Sequence, residues 1–81
     1  MQTADFELLQ EWTRQRDAEA FHELTRRHAG MVYATALRLL GSPEEAEEVV
    51  QECFARLASA EGAPSVFLPG WLHRVAVNRC L

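Results

Sequence analysis

The chain has 81 residues, 48% of them hydrophobic and 25% charged, with a formal net charge of −4. That describes one domain near the lower limit for a self-sufficient core. No apolar run approaches the ~20 residues that span a bilayer, and the opening MQTADFELLQ lacks the basic-then-apolar pattern of a signal peptide, so export and a membrane partner are not expected and the cytoplasm is.

The chain reads as helices throughout, with no alternating strand pattern and no internal repeat. A first short helix is expected from 6 to about 16, where Phe6, Leu9 and Thr13, with Leu8 and Trp12, keep helical spacing. Asp17 is a plausible cap for a long second helix over 18–40. There Phe21, Leu24, Met31, Val32, Ala36, Leu39 and Leu40 recur at three and four over roughly 30 Å. Gly41 stops it, since glycine tolerates the left-handed conformation past a helix end. Ser42-Pro43-Glu44-Glu45 restarts the chain at once: serine caps, proline suits the first helical position, and Glu45 completes a capping box. The third helix should run to about 58. Residues 59–70, SAEGAPSVFLPG, hold two glycines and two prolines and read as a loop. Twelve residues is long for such a connection, and long loops are often functional. A last helix is expected from 69 or 70, or later, to 81.

Charge is unevenly spread. Residues 42–61 carry six acids and one arginine, whereas 62–81 carry Arg74 and Arg79 and no acid. Chance alone can scatter so few charges; the alternative is two different partner surfaces. In the third helix Ala46, Val49, Val50, Cys53, Phe54 and Leu57 form the inward face. Glu44 and Glu45 suit the first turn of any helix. Glu48, Gln51 and Glu52 lie beyond that turn on one outward stripe, which fits either solvent or a basic helical surface. Cys53 and Cys80 sit in apolar patterns and are expected to be buried, reduced thiols. The histidines and cysteines match no common zinc spacing, so no metal or other cofactor is expected. No nucleophile–base pair supports an enzyme.

AEEVVQECFARL, residues 46–57, closely resembles the signature of bacterial sigma factors of the extracytoplasmic-function group: Ala-Glu-Asp, two apolar residues, Gln-Glu-x-Phe-x, a basic and an apolar residue. Glu48 stands where that family usually has aspartate. AEAFHELTRRHAGMVYATALRLLGS resembles the family's preceding helix. WLHRVAVNRC resembles its Trp-Leu-x-Arg-(Val/Ile)-Ala-x-Asn segment. Three blocks in order cover the chain from about Phe6 to Leu81.

The resemblance is to region 2 alone, and it implies an all-α bundle of about four helices forming a single domain over 1–81. The linker and the helix-turn-helix domain (region 4) that reads the −35 element are not in the sequence. By the same resemblance, the third helix docks on the clamp helices of the polymerase β′ subunit through Glu48, Gln51 and Glu52, with Tyr33 and Arg38 as further candidates. The loop and last helix would take the unpaired non-template strand of the −10 element through Val66, Phe67, Trp71, Arg74 and Asn78, in a transcription-initiation role. An anti-sigma factor is a further partner of such proteins. Trp71, Arg74 and Asn78, at i, i+3 and i+7, can share one face, where arginine suits phosphate and asparagine a base edge. Each also has a structural reading: Trp71 and Phe67 as buried packing, Arg74 as an ion-pair partner of the acidic helix, Tyr33 as core. The competing function is a helical adaptor or sensor that binds protein and not DNA.

Overall fold

The structure, a computed structural model, describes residues 4–59 and 67–81. Four helices make it up: α1 Asp5–Gln15, α2 Ala18–Leu40, α3 Pro43–Ala58 and α4 Leu68–Cys80. Among the described residues there is no strand, and no helix is long and apolar enough to cross a membrane.

Local chemistry sets most boundaries. The Asp17 carboxylate accepts from the Glu19 and Ala20 amides, at 3.0 and 3.3 Å, and starts α2. Gly41, at φ 72°, ends it, donating its N–H to the Leu37 carbonyl at 2.8 Å. One residue later the Ser42 hydroxyl accepts from Glu45 N–H at 3.3 Å and opens α3. Two consecutive helices are thus joined with almost no slack.

α4 departs from the sequence expectation by beginning at Leu68, earlier than 69–70. Pro69 and Gly70 lie inside its first turn. Neither breaks it, because the amides of a first turn have no intrahelical partner to lose. What fixes the start is burial: Leu68 is 5% exposed and joins the core.

α2 is the axis of the fold, packed against each of the other three helices, while α3 also packs on α4. The core runs through all four: Leu8 and Leu9 from α1; Ala20, Leu24, Val32 and Ala36 from α2; Ala46, Val49, Cys53, Phe54 and Leu57 from α3; Leu68, Leu72 and Ala76 from α4. The aromatic rings join α1 to α3. Trp12 and Phe21 lie 4.8 Å apart centroid to centroid, and Phe21 meets Phe54 edge-on at 6.4 Å. The end of α3 is tied to α1 as well. Trp12 Nε1 and the Arg16 guanidinium both donate to the Ala58 carbonyl, at 3.0 and 3.1 Å. Arg16 ends α1 in the left-handed region, at φ 52°, where glycine is commoner. Its guanidinium lies 5.0 Å from the Trp12 ring centre, so contacts with the ring and with Ala58 offset the backbone cost.

Candidate polymerase- and nucleic-acid-binding surfaces

The α3 residues expected to face outward do so. Glu48, Gln51 and Glu52 are all exposed, on the side opposite Ala46, Val49 and Cys53. Their environments differ. Glu52 forms an ion pair with Arg79 of α4, and that hydrogen bond, more than the charge alone, holds its carboxyl below the usual range. Among the described residues, Glu48 makes no ion pair. The alternative reading of Arg74, as an ion-pair partner of the acidic helix, is not met: Arg79 makes that pair and Arg74 is exposed.

Tyr33 and Gln51 come together. They line a groove of about 410 Å³ between α2 and α3, along with Ala29, Gly30, Glu47 and Val50. Tyr33 is half-buried, so it packs on the core and borders the groove at once. Arg38, five residues further along α2, is turned about 140° from Tyr33 around the helix and does not line the groove. Sequence reasoning passed over Glu47 and Gly30. Glu47, Val50 and Gln51 stand at i, i+3 and i+4, so their shared stripe was visible in the spacing. That the stripe faces Gly30 depends on how α2 and α3 cross.

On α4, Trp71 is half-buried and packs against the core, while Arg74 and Asn78 are exposed on the same face. Phe67, which also read as buried loop packing, is 66% exposed. Its ring lies so near Gly70 that a Cβ there would stand 3.0 Å from it. Phe67 also rims a pocket of about 240 Å³ with Leu68, Pro69, Ala4 just before α1, and Asp5, Phe6 and Leu9 of α1. Phe6 is itself half exposed and was not anticipated here. Val66 lies outside the described residues.

Behind that pocket, Asp5 is held from α2. His28 Nε2 lies 2.9 Å from one carboxylate oxygen, and Arg27 donates to the other at 3.3 Å. Arg26 and Arg27 clasp Glu23, at 2.8 Å each, and their hydrogen bonds bring its carboxyl down to about 2. Among the described residues, no three of His, Cys, Asp and Glu cluster as metal ligands.

The family model "Sigma-70 region 2" matches residues 24–81. The chain is 40% identical over 60 residues to the ECF RNA polymerase sigma factor SigE of Mycolicibacterium smegmatis, a stretch covering 73% of this chain and 23% of that protein. It is 35% identical over 69 residues to the ECF RNA polymerase sigma factor SigM of Mycobacterium tuberculosis, covering 80% of this chain and 34% of that one. The chain thus spans only about a quarter to about a third of the length of these relatives. No solved structure matches it. With four helices in the expected order and the family's signature on α3, the chain belongs to the sigma-70 region 2 family and is a region 2 domain of the extracytoplasmic-function type.

Proposed function

We propose that this domain acts in transcription initiation by docking on the β′ clamp helices of core RNA polymerase through α3 and the adjoining face of α2, while α4 and the segment before it take the unpaired non-template strand of the −10 element. The docking residues are Glu48, Gln51 and Glu52 with Tyr33; Arg38 lies to one side of them. The observation that supports this reading is the joining of Tyr33 and Gln51 in one open groove, beside Glu47 and Glu48, which make no ion pair among the described residues. A basic helical surface would supply that partner, and charge complementarity of this sort sets both encounter rate and orientation.

On the DNA side, the exposed Phe67 ring offers a stacking surface. Arg74 suits a phosphate and Asn78 a base edge. Because Arg79 is committed to Glu52, Arg74 is the remaining cation of α4. Electrostatics therefore contribute little, and single-strand binding should be weak with a shallow salt dependence.

The test has two arms. Glu48→Arg combined with Gln51→Ala should abolish capture by core polymerase, and of a β′ clamp-helix fragment, without lowering the melting temperature. A double variant that binds like wild type removes the docking assignment. A short −10-like oligonucleotide should shift the backbone amide NMR signals of Phe67 and α4 and leave 48–52 unmoved. Shifts confined to α3, or none at millimolar DNA, would turn the reading to the adaptor that binds protein alone.

A further inference from the structure

Gly30 lies mid-way along the 23-residue α2 in ordinary right-handed conformation. A Cβ built on it meets nothing within 4 Å. Glycine inside a helix costs stability relative to alanine, and among the described residues no neighbour requires its smallness. The bare position opens instead into the groove between α2 and α3, beside Tyr33, Val50, Glu47 and Gln51. Among the described residues, the Glu47 carboxylate makes no hydrogen bond or ion pair. The surrounding stretch 42–61 holds six acids against one arginine. The groove thus combines an apolar lining, one aromatic ring, one unpaired carboxylate and one amide.

We infer that this groove receives a single arginine side chain from a basic helix of the partner, and that Gly30 is the residue that admits it. The inference rests on the docking surface proposed above and names what enters it. Arginine fits better than lysine. Its methylene stem lies along Ala29, Gly30 and Val50, its planar head can stack on a tyrosine ring, and its fork of N–H donors matches a carboxylate. A side chain on Gly30 would occupy the space of the stem. Glu47 and Gln51, one turn apart on α3, supply the acceptors.

The test uses the 81-residue chain, isotope-labelled, and an alanine-based helical peptide carrying two arginines one turn apart. The same peptide with citrulline, neutral and nearly isosteric, is the control. The arginine peptide should shift the amides of Ala29, Gly30, Val50 and Gln51, and the citrulline peptide should not. Gly30→Ala should raise the melting temperature by roughly 2–8 °C, since the helix gains and nothing clashes. Gly30→Leu should stay folded, lose the peptide shifts, and bind core polymerase at least about tenfold more weakly. Glu47→Gln, which leaves the α2 backbone untouched, should remove the preference for arginine over citrulline. Groove amides that ignore the arginine peptide overturn the inference. So does a Gly30→Leu variant that binds polymerase like wild type when the Glu48/Gln51 double variant does not, and in that case the docking surface survives. Arginine-dependent groove shifts in a wild-type chain that ignores core polymerase would leave the groove assignment standing and remove the polymerase reading.

Discussion

Cys53 is fully enclosed. Burial, with Cys80 second, pushes its thiol up to about 11. The thiolate is the reactive form, so native Cys53 should resist alkylation at neutral pH, while Cys80, half-buried at the last position of α4, labels first. Mass spectrometry of a timed alkylation checks the order, and early labelling of Cys53 would contradict it. The expectation of two buried thiols therefore holds for Cys53 and not for Cys80, which is half-buried. A helix-end residue loses cover on the side where its helix stops. Glu23 gives a pH prediction. Its folded value, about 2, lies below the usual 4.5 because Arg26 and Arg27 donate to it. A lowered carboxyl stabilises the fold above its unfolded value, and that contribution is lost as pH falls from 4.5 through about 2. Arg26 is exposed and Glu23 itself partly so, and solvent screening keeps the effect modest. Glu23→Gln should lower the melting temperature slightly near neutrality, where the contribution is fully present, and flatten its pH dependence between 4.5 and about 2. A slope equal to wild type would show that the pair contributes nothing.

At the scale of the element, the four helices were legible because their ends are written in adjacent residues. Asp17, Gly41 and Ser42 act on amides or carbonyls within four positions of themselves, so a one-dimensional reading finds them. The start of α4 was misread because Pro69 and Gly70 are turn residues by composition, whereas Leu68 is set by what it packs on. The end of α3 was legible only as a length. Its last carbonyl is satisfied by Trp12 and Arg16, over forty positions earlier in the chain. The candidate site divides the same way. That Glu48, Gln51 and Glu52 share an outward stripe followed from spacing on one helix; their docking role came from the family resemblance. Glu47, Gly30, Phe6 and the Arg79 pairing each needed two helices to be set side by side. The α1–α3 tie can be tested directly. Trp12→Phe keeps the ring stacked near Phe21 and removes the N–H, which should cost about 1 kcal/mol, or a melting temperature lower by roughly 4–8 °C. Calorimetry with no change would mean that Arg16 alone satisfies Ala58.

For the molecule as a whole, the matched family region and the folding unit differ in extent. The region begins at residue 24, but Leu8, Leu9 and Ala20 belong to the core, and Trp12, Arg16 and Phe21 hold the end of α3. A fragment of 24–81 leaves Phe54 and Leu57 without that cover, so it should give no cooperative thermal transition, whereas the full chain does. A cooperative transition in the fragment would make α1 an accessory. The position of α1 has one more consequence. Its C-terminal end grips Ala58, and its N-terminal turn flanks Phe67, Leu68 and Pro69 across a shared pocket. One rigid rod therefore spans the two anchor points between which the chain passes from α3 to α4. With that spacing set by a helix, at about 1.5 Å per residue, α1 acts as a gauge that holds the end of α3 and the start of α4 at a fixed separation.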